Sequence, residues 1–235
     1  MSSKGTASAS PRMASSCLMR RQAMQNRCRE LVPDAQFFDT LDDMLNADLG
    51  LEALVIATPD YQHAEQLIEL FERTTLPILV EKPVVSDIAQ VAKIRDAAAK
   101  HPAPVWVAME YRYMPPVAQF RKQLLDGDIG ALKMLNIREH RFPFLPKIGD
   151  WNRFNAKTGG TLVEKCCHFF DLMRVILEDE PVRVMASAGQ SVNHLDESYD
   201  GATPDIWDNG YVIVDFAGGA RAMLELCMFA EGARY

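Results

Sequence analysis

The sequence predicts a doubly wound α/β region up to about residue 113, followed by a mostly antiparallel sheet with helices on one face. Two observations predict this. Short unbroken apolar runs, Leu54-Val55-Ile56-Ala57, Pro77-Ile78-Leu79-Val80 and Val105-Trp106-Val107-Ala108, alternate with amphipathic stretches, as parallel strands covered on both faces alternate with crossover helices. After Tyr113 the extended runs lengthen, near 132–141, 182–193, 209–217 and 220–229, and the last two flank Gly218-Gly219, a hairpin signal.

In order along the chain, residues 1–16 are poor in large apolar groups and are expected to be disordered. A helix is expected over about 17–31 and a short strand at Gln36-Phe37-Phe38. Asp39-Thr40 offers a cap to a helix over 41–47, with Asp42 and Asp43 in its first turn, where the helix dipole favours acids. The helix over 62–73 carries Ala64, Leu67, Ile68 and Phe71 on one face, and Ser86-Asp87 caps another running to about residue 100. In the second half a helix over 115–126 leads into the extended stretch 132–141. The irregular segment 142–158 follows, and then one long helix over 161–177. No internal repeat is visible.

Charge and composition narrow the function classes. The 235 residues carry a formal net charge of −7, which argues against a surface that tracks nucleic-acid phosphates or an anionic membrane. No apolar run is long enough to span a bilayer as a helix. The five cysteines, Cys17, Cys28, Cys166, Cys167 and Cys227, show no CxxC or finger spacing. An odd number with one vicinal pair reads as reduced thiols in a cytoplasmic compartment. The first 29 residues have no acid and are rich in Ser, Ala and Arg. That composition suits either an organellar transit peptide or a disordered start running into a basic helix.

Three features carry candidate chemistry. Thr58-Pro59-Asp60-Tyr61-Gln62-His63 follows the first apolar strand, at the edge where open α/β sheets bind ligands; the plainer reading is a helix start with His63 facing solvent. Glu81-Lys82-Pro83 ends the next strand and points Lys82 to the same edge, or else is a solvated ion pair. Third, the apolar stretch 161–177 is interrupted by Glu164, Lys165, His168, Asp171 and Arg174. The spacing of Glu164, His168 and Asp171 puts them on one helical face. A carboxylate one turn from an imidazole can orient it and raise its basicity, as a general base needs. A core histidine bonded to Glu164 is the structural alternative. A metal site of Glu164, His168 and Asp171 is a third, though the spacing is not HExxH. Cys166 and Cys167 read as small buried residues.

These features in this order resemble the Gfo/Idh/MocA family of glucose–fructose oxidoreductase, inositol dehydrogenase and relatives. The resemblance runs from about residue 20 to the end. It rests on VIATPDYQHAE (55–65), LVEKP (79–83), MEYRYMPPVAQFRKQLLDGDIGALKML (109–135), DWNRF (150–154) and TGGTLVEKCCHFFDLM (158–173). It implies a Rossmann-type domain over 17–113 and an open-faced, mostly antiparallel sheet domain over 114–235 that binds substrate and packs into homo-oligomers. The implied reaction moves hydride between NAD or NADP and a hydroxyl of a sugar or polyol. Lys82 would hydrogen-bond the hydroxyl and His168 take its proton, with Glu164 where the family usually has Asp. Thr58, Pro59, His63, Glu81 and Lys82 would line the cofactor, and Tyr111, Arg112, Trp151, Arg153 and Asp171 the substrate pocket.

The sequence departs from the family pattern at its start. No G-x-G-x-x-G turn precedes the first apolar strand, so the Rossmann-type sheet is expected to be incomplete, lacking the first two strands and the amides that hold pyrophosphate. Weak or absent NAD(P)H binding and self-association follow as expectations, as does an early end at Tyr235 within the sheet domain. Two function classes remain beside a metal-dependent hydrolase or lyase: a dehydrogenase polypeptide impaired by truncation, or a non-catalytic homologue serving as a binding or dimerisation module.

Overall fold

A computed structural model describes residues 11–230, with side chains from residue 21 onward. The chain divides into two compact units, 1–51 and 52–235.

In the first unit, α1 spans Pro11–Leu31 and α2 Leu41–Asn46. The backbone is already helical over 11–16, where disorder was expected. Pro11 suits a first helical position and the Ala, Met and Arg that follow are good helix formers; residues 1–10 of the expected tail lie outside the described residues. Thr40 caps α2 as expected, its hydroxyl accepting from Asp43 N at 3.1 Å. Gln36-Phe37-Phe38 is not a strand. Three extended residues form one only when a neighbour completes their ladder, and Phe37 lies instead under the Arg29 guanidinium, 4.5 Å from the ring centroid.

The second unit opens with three parallel strands in the order β1-β2-β3: β1 (Leu54–Ile56), β2 (Ile78–Val80) and β3 (Val105–Val107). Helices α3 (Asp60–Arg73) and α4 (Ala89–Ala98) are the crossovers. Leu54, Ile56, Ile78 and Val80 are buried with Ala64, Leu67 and Leu70 of α3. The register Val55–Leu79–Trp106 faces the other way and stays exposed. The strands are therefore covered on one face, not both as the apolar runs suggested; three-residue strands are too short for alternation to be visible in sequence. Ile56, Val80 and Val107 are in register, so the segments that follow them emerge along one edge.

α5 (Pro115–Leu125) leads to a four-stranded sheet in the order β4-β7-β6-β5. Its strands are β4 (Met134–His140), β5 (Pro181–Gly189), β6 (Asn209–Phe216) and β7 (Arg221–Cys227). β7–β6 and β6–β5 are antiparallel, whereas β4 runs parallel to β7. The sheet is thus mixed, and its one parallel pair arises because the chain crosses over through the intervening helices before β5. Gly219, at φ 85°, takes the positive-φ position of the β6–β7 hairpin. Val212, Val214 and Phe216 of β6 and Ala222, Leu224 and Leu226 of β7 face Cys166, Phe169 and Met173 to make the core.

The expected helix over 161–177 is two helices, α7 (Thr161–Glu164) and α8 (Cys167–Leu177), after a short α6 (Asn155–Thr158). Gly159 and Gly160, at φ 76° and 88°, turn the chain between α6 and α7. A Cβ on Gly159 would lie 2.8 Å from Ser86 O, so this glycine lets the turn before α7 approach the loop after β2. Among the described residues no helix is long and apolar enough to cross a membrane.

Candidate active site

The break between α7 and α8 organises the site. Across residues 165–166 no His168 N–H reaches Glu164 O; the Lys82 ammonium, from the loop after β2, donates to that carbonyl at 2.8 Å. The same ammonium lies 3.7 Å from Glu164 Oε1. Burial opposes the Lys82 charge, but Glu164, with Cys167, Asp60 and Glu110, outweighs it and holds the pKa above the ordinary lysine value. Lys82 is therefore a fixed cation.

His168 is 3% exposed. Tyr111 stacks on its ring with centroids 4.1 Å apart and planes 9° from parallel. The Tyr111 hydroxyl accepts from Lys165 Nζ at 2.6 Å, and Lys165 pairs behind it with Glu139 at 3.2 Å. Burial pushes the His168 pKa down to about 4, with Lys82 and Lys165 adding and Asp171 opposing. The imidazole is neutral at ordinary pH, with a lone pair free to accept a proton.

Lys82, Tyr111, Glu164, Lys165 and His168 line one cavity of about 370 Å³ together with Asn152. Three of its side-chain atoms, Asn152 Oδ1, Glu164 Oε2 and His168 Nδ1, are buried without a hydrogen-bond partner among the described residues. Buried polar atoms are normally satisfied, so three on residues that line one cavity leave unused hydrogen-bonding capacity in its wall. Beside it, sharing Pro146 and Lys147, Ala57, Thr58, Pro59, Tyr61, Ile148 and Trp151 line a cleft of about 650 Å³.

Several sequence expectations change. Glu164 does not brace His168: the helix break turns its carboxylate to Lys82, and the nearest acid to the ring is Glu110, 3.5 Å from Nε2. Asp171 and Arg112 do not line the cavity; they grip each other through two hydrogen bonds, one of 2.5 Å from Arg112 Nε. That pairing also removes Asp171 from any metal shell, and no cluster of three or more His, Cys, Asp or Glu able to hold a metal occurs among the described residues. Arg153 is 2% exposed and pairs with Glu197 at 3.1 Å, away from the lining. His63 is buried, its ring nitrogens 2.7 Å from Pro83 O and 2.8 Å from Thr58 O, so it ties two strand-end loops together and does not face solvent. Glu81 is exposed, its Oε2 accepting from Lys82 N at 3.3 Å. Trp151 joins Thr58 and Pro59 in the neighbouring cleft. Cys166 is fully buried and Cys167 partly so; burial pushes the Cys167 thiol up to about 11 and the Cys166 thiol higher, so both are inert.

Asn152 and Glu110 carry no local signal that marks them out, and Lys165 and Asp60 stand in candidate stretches without an assigned role. Lys165 was visible as a cation in an apolar stretch, but its direction depends on the break. Asp60 is 5% exposed with Oδ2 unpartnered, and its pKa is pushed up to about 7 by burial and by Glu164, against Lys82 and Lys147.

The Arg112–Asp171 pair anchors α8 to the segment carrying Tyr111. Arg112→Ala leaves a nine-tenths buried carboxylate uncompensated and is expected to cost about 2–3 kcal/mol, discounted for the partly exposed guanidinium. A thermal melt checks this, and an unchanged Tm would remove the pair from the account of stability.

Comparison with known proteins gives a consistent result. Residues 7–109 match the model described as "Oxidoreductase family, NAD-binding Rossmann fold" and residues 121–235 that described as "Oxidoreductase family, C-terminal alpha/beta domain". The chain is similar to inositol 2-dehydrogenase of Rhizobium meliloti (strain 1021), 31% identical over 183 residues, covering 77% of this chain and 52% of that protein. It is also similar to the rhizopine catabolism protein MocA of Rhizobium meliloti, at 24% over 80% of this chain and 56% of that one. Among solved structures, an oxidoreductase domain protein from Kribbella flavida superposes with a TM-score of 0.71 at 26% identity, covering 81% and 52% of the two chains. GenD2 from gentamicin A biosynthesis, in complex with NAD, superposes with a TM-score of 0.72 at 24% identity, covering 85% and 54%. The chain spans about half the length of the relatives it matches.

Proposed function

The chain belongs to the Gfo/Idh/MocA oxidoreductase family, and from that premise we propose that its polar cavity takes a sugar or polyol and that one hydroxyl there is oxidised with NAD or NADP as hydride acceptor. The observation that carries the reading is one cavity lined by both a fixed ammonium, Lys82, and a neutral imidazole, His168. The Lys82 ammonium hydrogen-bonds the hydroxyl oxygen and stabilises the negative charge that develops on it. His168 accepts the hydroxyl proton as hydride leaves the carbon, which gives a neutral carbonyl and a protonated imidazole that returns its proton to solvent. Glu164 positions Lys82, and Tyr111 holds the ring of His168 flat.

The neighbouring cleft suits the nicotinamide end of the cofactor. Pro59, Tyr61 and Trp151 offer flat apolar walls, and Thr58 a hydroxyl at the strand edge. A bound nicotinamide would supply the hydride acceptor. Residues 17–113 serve as the cofactor side and 114–235 as the substrate side, with the open face of the second sheet, where Met185 and Tyr211 are exposed, as the surface for homo-oligomers. The partners are thus a small polyol and a second copy of the chain, with no role for nucleic acid or membrane, in the cytoplasm.

The test is reduction of NAD(P)⁺ by the chain with a panel of inositols and sugars, and its loss in Lys82→Met. The 235-residue sequence contains no G-x-G-x-x-G turn, so cofactor binding is expected to be weaker than micromolar by NAD(P)H fluorescence titration. Micromolar binding by a monodisperse sample would overturn that. Binding of a polyol with no hydride transfer at saturating NAD(P)⁺ would favour the non-catalytic binding module instead.

A further inference from the structure

We propose that the sugar or polyol taken by this cavity carries a carboxylate, seated against Arg141; this rests on reading the cavity as the substrate site. Although the chain is acidic overall, at −7, the cavity is lined by four cations, Lys82, Lys165, Arg141 and Lys147, against two carboxylates, Glu110 and Glu164. Two of the cations are accounted for within the protein: Lys82 by Glu164 and Lys165 by Glu139.

Arg141 and Lys147 have no carboxylate within ion-pair distance among the described residues. Lys147 Nζ rests 4.7 Å from the Trp151 ring centroid, at the border with the neighbouring cleft. The Arg141 guanidinium donates through Nε to Phe142 O at 3.2 Å and lies 4.9 Å and 5.6 Å from the ring centroids of Phe142 and Phe144. Both rings also line the cavity, so the planar group is held by its neighbours with its terminal nitrogens left for another partner.

The backbone makes Arg141 a rigid anchor. Its N–H donates to Cys227 O at 2.9 Å and its carbonyl accepts from Ala230 N at 3.1 Å, which fixes it at the ends of β4 and β7. A rigid, aromatic-flanked guanidinium is the side chain suited to two-point recognition of a carboxylate. A neutral polyol would hydrogen-bond Lys82 and His168 and leave this charge unanswered. A carboxylate on the same carbon skeleton answers both.

The experiment compares D-glucuronate with D-glucose, which differ in one group, a carboxylate in place of a hydroxymethyl. Affinities of the whole chain are measured by titration calorimetry, with NAD⁺ present, for wild type, Arg141→Gln and Arg141→Lys. Glucuronate is expected to bind at least ~10-fold more tightly than glucose, with a preference that shrinks with added salt and falls to about 2-fold or less in Arg141→Gln. Equal affinities, tighter glucose, no binding of either, or a preference unchanged in Arg141→Gln would overturn the proposal. If Arg141→Gln does not fold by circular dichroism, Arg141→Lys decides: it keeps the charge but loses the planar two-point fork, so a reduced preference supports the proposal and an unchanged one overturns it. ADP-ribose is titrated in parallel, and a loss of its binding in Arg141→Gln with glucuronate unaffected would assign the guanidinium to the cofactor and overturn the proposal. Charge-selective binding without hydride transfer would sink the dehydrogenase reading and leave this one standing. Oxidation of glucose with glucuronate rejected would do the reverse.

Discussion

His168→Asn is expected to lower kcat for polyol oxidation by about 10²–10⁴, the worth of a positioned general base, with KM for the polyol changed little. Asparagine keeps a polar side chain near the position of the imidazole, but it cannot take up the proton. The fold should hold, because the ring's main contacts are the Tyr111 stack and the cavity, with no hydrogen bond that the core depends on. The wild-type pH profile gives a second, independent readout. Burial and the two lysines lower the imidazole's pKa to about 4, so the acid limb of kcat/KM should fall near that value and well below that of an ordinary histidine. Retention of most of the rate in the variant, or an acid limb at the ordinary position, would remove His168 from the chemistry.

Asp60→Asn should stabilise the protein, and by more at higher pH. Burial pushes the Asp60 carboxyl up to about 7, from the ordinary aspartate value of 3.8. Between those values the native state binds more protons than the unfolded chain, so stability falls as pH rises through that window and the whole penalty is felt above it. Asparagine has the same shape and no charge to bury. The expected gain is about 2–4 kcal/mol near pH 8, or roughly 5–15 °C in Tm for a chain of this size, shrinking towards pH 4. His168 works in the opposite sense. Its depressed folded pKa gives stability that is present above 6.5 and lost as pH falls towards about 4. Melts of wild type and variant at about pH 5 and pH 8 separate the two; a gain independent of pH, or a loss, would refute the account of Asp60.

Asp60 also illustrates what a motif conveys. TPDYQH placed a helix start at a strand end correctly, because a helix after a buried strand is written in local pattern. Nothing local indicates that the Asp60 side chain turns inward while His63 bridges two loops. Likewise Lys82 was legible as a cation at the end of a parallel strand, and His168 as a polar group in an apolar stretch; both line one cavity. Their mutual arrangement was not legible. The reading assumed an uninterrupted helix, and a continuous helix would have put Glu164 beside His168.

The sequence alone determined the strand–helix alternation, the hairpin at Gly218-Gly219, the family, and which edge of the first sheet carries Lys82, because those follow from periodicity, turn chemistry and short contiguous motifs. Only the tertiary structure decided which acid serves which base. The Gly159-Gly160 turn passes close to the loop after β2, the helix breaks at Lys165-Cys166, and the freed Glu164 carbonyl takes the Lys82 ammonium from 82 residues away in sequence. The physical reason is that an ion or hydrogen-bond pair forms where the chain brings partners within about 3 Å and removes water, and at long range that distance is set by packing and not by spacing along the chain.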